Sequence, residues 1–271
     1  ETFHIPRWIT GIVICAIAAL VILGGIRSIA RVCAKLVPFM IVFYILGCLV
    51  ILVINFEKLP EAINLIFTTA FTGQAAIGGF LGAGIKETMR FGIARGLFSN
   101  ESGMGSAPIV AAAAQTDHPV EQALVSSTGT FWDTVVVCAL TGLVVVSSGQ
   151  WVNGLNGTAL TKAAFETIPV VGSTILFVGL ATFVFSTILG WSYYGEKSVE
   201  YLFGTGAIRF YRYLWVAATL VGALVSLPIV WNFADCANAL MAIPNLIVLL
   251  ALNGILVSES REYFRAVVKK T

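Results

Sequence analysis

Charged side chains are scarce in this sequence of 271 residues: Asp, Glu, Lys and Arg together make up 11%, against ~25% in soluble domains. That shortage excludes an ordinary cytosolic globule and a disordered chain. The 16 Lys and Arg against 14 Asp and Glu leave a net charge of +2, so no basic excess exists to follow a phosphate backbone, and nucleic acid is excluded as a partner. The sequence lacks a CxxC pair and any Cys/His cluster. Cys15, Cys33, Cys48, Cys138 and Cys236 lie mostly in apolar runs and read as small buried hydrophobes, not as disulfides or metal ligands. No Ser/His/Asp, HExxH, Walker or GxGxxG pattern occurs, so neither a hydrolytic nor a nucleotide-driven role has support, and no enzyme is expected. No signal peptide is visible. The chain opens Glu-Thr-Phe-His without Met, which suggests a start inside a longer protein.

What the sequence has in quantity is apolar surface and glycine. Hydrophobic residues reach 58%, glycines number 26, and the mean hydropathy is +0.92. A membrane-spanning helix needs ~20 mostly apolar residues. Candidate spans are 8–25, 36–55, a long interrupted element over 61–115, then 122–147, 170–195, 208–226 and 228–257, the last with a bend expected near Pro244 because proline lacks the helical N–H. The clusters Arg27, Arg31, Lys35; Lys197, Arg209, Arg212; and Arg261, Arg265, Lys269, Lys270 fall on one side of this arrangement. The other side holds Arg7, Lys58 and Lys162. Basic loops stay cytoplasmic, so the first span runs inward, the C-terminus is cytoplasmic and 149–169 is extracellular. Within it, 158–168 has the period of a short amphipathic helix that could cover a pathway.

The stretch GIARGLFSNESGMGSAPIVAAAA at 92–114 carries the chemistry. Its run of small and polar residues makes a poor continuous span, and irregular backbone in a bilayer is tolerated only where it lines a cavity or is buried in protein. A helix broken at mid-membrane presents bare N–H groups at one half-helix end and bare C=O groups at the other, suited to a carboxylate and a cation. Ser106 ahead of Ala107-Pro108 reads as an N-cap followed by proline in the first turn. The alternative is a span that stops at Ile85 and a cytoplasmic loop, which Lys86, Glu87 and Arg90 would favour.

RGLFSNESGMGSAP (95–108), TDHP (116–119), GTFWDT (129–134), STILGWSYYGEK (186–197) and LPIVWNFADCANALMAIPNL (227–246) resemble, in order and over essentially the whole chain, the alanine or glycine:cation symporter family, also called the sodium:alanine symporters. The likeness is to roughly the C-terminal three-fifths of a member. Ser102 departs from the family's usual Ala, and Lys86-Glu87 add charge. The resemblance implies an all-α polytopic membrane protein of the leucine-transporter type, two inverted five-helix repeats, here core helices four to ten with helix six broken. Residues 1–55 would be the last two core helices of the first repeat. Residues 56–257 would be the second repeat, with its broken helix at 75–115, and 258–271 a cytoplasmic C-terminal tail. It further implies a plasma-membrane carrier that imports alanine and/or glycine with Na+ as coupling ion, in company with missing N-terminal helices and the lipid bilayer. A symporter for another small zwitterion, proton coupling, or a channel or structural membrane module are the alternatives.

Candidate site residues follow. Thr187 and Trp191 share a helix face at i, i+4, and Ser186 adjoins them. Hydroxyl and carbonyl oxygens form a hard site that suits an alkali cation. The resemblance assigns Ser186 and Thr187 to the cation, with Thr187 shared with substrate and Trp191 as pocket wall. The plainer reading is hydroxyls bonded back to the preceding turn and a tryptophan of the interface belt. Phe98, Asn100, Glu101 and Gly103 lie on the expected break. Phe98 and Trp191 would crowd out large side chains, since an added methylene costs only ~1–3 kcal/mol through lost contacts. Asn100 would bond the substrate's amine or carboxylate. Glu101 would either receive the ammonium or cap amides of the break. Asp133 lies eleven residues beyond Gln122, about 17 Å deep at ~1.5 Å per residue, and is a candidate coupling group or a structural acceptor for freed backbone. Asp235, Asn232 and Asn238 read as packing polar contacts. His118, in a loop beside Pro119, is not expected to be a ligand, and His4 near the chain start is uninformative.

Overall fold

The computed structural model describes residues 6–70, 85–155, 157–168, 171–225 and 227–268. Helices dominate these residues, and no strand occurs among them. In order they are α1 (Arg7–Ile22), α2 (Ile26–Ile54), α3 (Leu59–Ala70), α4 (Ile85–Asn100), α5 (Ala107–Ala111), α6 (Pro119–Thr130), a π-helical stretch (Phe131–Cys138), α7 (Ala139–Ser148), α8 (Gly157–Phe165), α9 (Gly172–Phe203), α10 (Ile208–Leu224), α11 (Leu227–Ala251) and α12 (Asn253–Val268). Among the described residues four helical runs are long and apolar enough to cross a bilayer: Ile26–Ile54, Pro119–Ser148, Gly172–Phe203 and Pro228–Ala251. The part of the interrupted element at 71–84 lies outside the described residues.

Several helices overrun the apolar runs that predicted them. α2 begins ten residues before the expected span at 36 and carries Arg27, Arg31 and Lys35 inside it. Arginine and lysine are good helix formers, and Gly25, left-handed at φ 73°, supplies the turn that separates α1 from α2. α9 likewise continues past Gly195 to Phe203, with Lys197 paired to Glu200 at 2.7 Å one turn on. Pro244 sits inside α11, which ends at Ala251 and restarts as α12 after Leu252.

The chain divides into two compact units. The first comprises Glu1–Ile93 and Val135–Val225, the second Ala94–Thr134 and Ser226–Thr271. In the first unit α1 packs on α10 and α9, α2 on α9 and α7, and α8 fits against α7 and α9. Its main core joins Tyr44, Cys48, Ile51 and Leu52 of α2 to Val144, Ala164, Phe165 and Leu176. Phe165 is fully buried and stacks on Tyr44 at 5.8 Å between ring centroids, anchoring the short helix expected at 158–168. Burying such a ring stabilises by about 1.5–3 kcal/mol. A second cluster gathers Ala18, Ile22, Ile29 and Leu189. Helices approach closely where a side chain is missing: a Cβ on Gly47 would come within 2.5 Å of Ile175, the small-residue packing that lipid-embedded helices use. Arg212 of α10 grips the buried Glu196 of α9 through two bonds, at 2.7 and 2.9 Å, so this basic residue is consumed by a buried pair.

In the second unit α5 and α12 both pack on α6, and α11 and α12 meet at their junction. His118 caps α6 by accepting the Val120 N–H on Nδ1 at 3.2 Å. The cysteines are less uniform than expected. Cys48 is buried, but Cys138 and Cys236 are exposed, because they lie on outward faces of helices whose apolar surface is left bare.

Candidate functional site

Irregular chain separates α4 from α5, and it is shorter than the expected 98–106. α4 holds its helical form through Asn100, so Phe98 and Asn100 belong to its last turn. The Glu101 N–H still reaches the Leu97 carbonyl at 2.9 Å. Glu101 then turns left-handed at φ 59°, followed by Gly103 at φ 82° and Gly105 at φ 85°. Left-handed backbone is cheap for glycine and costs other residues roughly 1–2 kcal/mol, and here it ends the helix. Irregular chain runs from 101 to 106 before α5 resumes with Pro108 in its first turn. Met104 and Ser106 are buried and the rest of this segment is mostly half-buried. Among the described residues, no hydrogen bond reaches the backbone N–H of Gly103, Gly105 or Ser106.

The side chains around the break tie it down. Ser106 occupies the position before α5, but its hydroxyl does not cap that helix. It donates instead to the Glu101 carboxylate at 2.8 Å. The expected N-cap is thus replaced by a clasp across the break, because the left-handed Glu101 swings its side chain toward Ser106. Asn100 is engaged at both ends of its amide: Nδ2 donates to Thr134 Oγ1 at 2.6 Å, and Oδ1 accepts from the Ser102 hydroxyl. Asp133 accepts the Ser99 hydroxyl on both oxygens at 2.9 Å, and the Thr134 hydroxyl at 3.2 Å. Its partners are therefore hydroxyls, not backbone amides freed by the break. Asp133 and Thr134 sit in the π-helical stretch, a local widening that often marks functional positions. Phe98 meets Trp231 edge-on at 6.3 Å.

Ser186, Thr187 and Trp191 fall on α9 in the other unit. Both hydroxyls donate back to the Phe183 carbonyl, at 3.0 and 2.8 Å. That is the plainer arrangement, yet it leaves their oxygen lone pairs free to accept or to ligate. Trp191 is half-buried and lies edge-on to Tyr194 at 5.5 Å. The same unit contains a cavity of about 1060 Å³ lined by Arg7, Thr10, Lys162, Glu166, Phe177 and Phe185 among others. No residue predicted for the site lines it.

Two contacts of the second unit were not anticipated. Asp235, expected to be a packing polar group beside Asn232 and Asn238, is ion-paired with Arg95 at 3.0 Å. Asn245 donates from Nδ2 to the Gly103 carbonyl at 2.9 Å. For the first, the sequence offered two opposite charges by type and nothing to show that they meet. The second has no local signature, since an asparagine inside a helix announces no partner.

Four long apolar helical runs among the described residues define a multi-pass membrane protein, and the polar irregular segment at 101–106 lies outside those runs, between α4 and α5. The sequence model described as the Sodium:alanine symporter family matches residues 1–271, and the chain belongs to that family, whose members are transporters and not enzymes. It is 51% identical over 267 residues to the sodium/alanine symporter AgcS of Methanococcus maripaludis, covering 97% of this chain and 58% of that protein. An uncharacterized transporter of Haemophilus influenzae is 46% identical over 268 residues, covering 98% of this chain and 59% of its own length. A probable sodium/glutamine symporter of Bacillus subtilis is 34% identical over 268 residues, 98% of this chain and 55% of that protein. The chain thus spans less than two-thirds of the curated relatives it matches.

Proposed function

We propose that the whole protein imports alanine, and glycine with it, across the plasma membrane in symport with Na+. The observation that carries this is the half-buried irregular chain at 101–106, with bare amides at Gly103, Gly105 and Ser106 inside an otherwise helical, apolar protein. Such amides suit the carboxylate of a zwitterion. Glu101, clasped by Ser106, positions that main chain, and Phe98 and Asn100 fix the helical turn that leads into it. Ser186 and Thr187 offer oxygen ligands of the hard type that Na+ takes, Trp191 limits the side chain that is accepted, and Asp133 is a coupling group. The name of the 51%-identical relative, a sodium/alanine symporter, supports both cargo and ion.

The reading includes an inverted-repeat fold of the leucine-transporter type, with 1–55 closing the first repeat, 56–257 forming the second around the broken helix at 75–115, and 258–271 as the cytoplasmic C-terminal tail. Transport proceeds by alternating access. Coupling is linkage: each ligand raises the affinity of the other by the same factor.

The test is counterflow of labelled alanine in liposomes holding the full-length protein. Saturable exchange that disappears when choline replaces sodium is the expected result, and absence of exchange in sodium sinks the proposal. The glutamine named for the 34%-identical relative gives the competing cargo. Wild type should prefer alanine, and Trp191→Leu should admit larger amino acids. Unchanged selectivity in that variant removes Trp191 from the pocket.

A further inference from the structure

Arg95 and Asp235 take no part in the site described so far, yet they join its lead-in helix to α11. Arg95 lies on α4 six residues ahead of Glu101. Its Nη2 donates to Asp235 Oδ2 at 3.0 Å, and its guanidinium lies 3.8 Å from the centroid of the Trp231 ring, one turn earlier on α11. The two charged side chains are 30% and 28% exposed, and Arg95 Nη1 is buried with no acceptor among the described residues. Asp235 is therefore the carboxylate that compensates this cation, and a half-buried charge stripped of its partner is costly. Ten residues further along α11, about 15 Å at ~1.5 Å per residue, Asn245 holds the Gly103 carbonyl. A Cβ on Gly105 would meet Asn245 at 3.1 Å, so the backbone of the break rests directly on that asparagine. One helix thus grips the broken element twice, once before the break and once within it.

We propose that α11 positions the unwound segment: Arg95, Asp235 and Asn245 are positioning residues that fix the backbone amides at 101–106 in their binding arrangement, and α4, the break and α11 move together. Arg95 acts through helix α4, not by touching cargo. This inference rests on the reading of 101–106 as the cargo-binding segment.

The test uses the full-length protein in liposomes with labelled alanine. Arg95→Gln, Asp235→Asn and Asn245→Ala should each raise the alanine concentration for half-maximal uptake at least tenfold, with the maximal rate changed less than threefold. Arg95→Lys, which keeps a cation over Trp231 and near Asp235, should stay within threefold of wild type. Half-maximal concentrations within twofold of wild type in all three variants overturn the proposal, as does an equal loss in Arg95→Lys and Arg95→Gln. An independent readout is the rate at which N-ethylmaleimide modifies a Ser102→Cys protein, followed on the peptide containing residue 102. Adding Asp235→Asn should speed that reaction at least threefold, and an unchanged rate overturns the proposal. Should wild type fail to take up alanine, the cargo reading falls, and the labelling rate alone decides whether α11 holds the break.

Discussion

The two units are held together by different means. In the first, helices interlock through apolar side chains and glycine contacts: among the described residues every fully or nearly buried hydrophobic belongs to it except Met104 and Val120. The second is held by polar pairs: Ser99 with Asp133, Asn100 with Thr134, Ser106 with Glu101, Arg95 with Asp235, Asn245 with Gly103. Apolar side chains packed at crystal-like density resist compression and give rigidity. Polar pairs are geometrically exacting, contribute only about 0.5–1.5 kcal/mol each when neutral, and can be exchanged for a ligand. The separation is one of emphasis, since the first unit also holds the buried Arg212–Glu196 pair and the Tyr44–Thr141 bond.

The sharpest way to break the contrast is at Phe165. Phe165→Ala should cost about 3–5 kcal/mol, as expected for a fully buried ring, and lower the thermal midpoint measured in detergent. The folded fraction should still bind alanine with unchanged affinity. A changed affinity would mean that the apolar unit is not a mere scaffold. Next comes Gly105→Ala. A side chain at φ 85° beside Asn245 should cost about 1–2 kcal/mol, a modest loss of stability, while labelled-alanine uptake falls at least tenfold. Ser106→Ala removes the clasp on Glu101 and should cost about 1 kcal/mol, with a several-fold rise in the half-maximal alanine concentration. Smallest is Tyr44→Phe. It loses the 2.9 Å bond to Thr141, about 0.5–1 kcal/mol, and should leave uptake kinetics unaltered. If Tyr44→Phe changed uptake and Ser106→Ala did not, the division of labour would be reversed.

How far the sequence could be read depended on the range of the interaction. Helices announced themselves through apolar runs, and the broken element through its own composition, because glycine, serine and proline act on the backbone where they stand. The extent of the break was misjudged: Phe98, Ser99 and Asn100 have adequate helical preference once preceded by a formed helix, so unwinding waits for Glu101. α2 swallowed a basic cluster because charge alone does not stop a helix, and this one runs on even through Pro38 and Gly47. Pairings across more than a hundred residues, such as Arg95 with Asp235, were invisible to periodicity. The hydroxyls of Ser186 and Thr187 stood out by type, while their shared bond to the Phe183 carbonyl is a property of the helix and not of the motif.

The π-helical stretch at Phe131–Cys138 carries a consequence for variation in length. Each residue of an α-helix turns the chain by about 100°, and a π-helix accommodates surplus residues within the same number of turns. Deleting one residue between 135 and 138 would let the stretch relax to ordinary α-helix with the faces on either side kept nearly in register, whereas deleting one from regular α-helix rotates what lies beyond it by roughly that angle. Homologous chains should therefore tolerate a change of one residue within this stretch more readily than within the α-helical turns on either side of it.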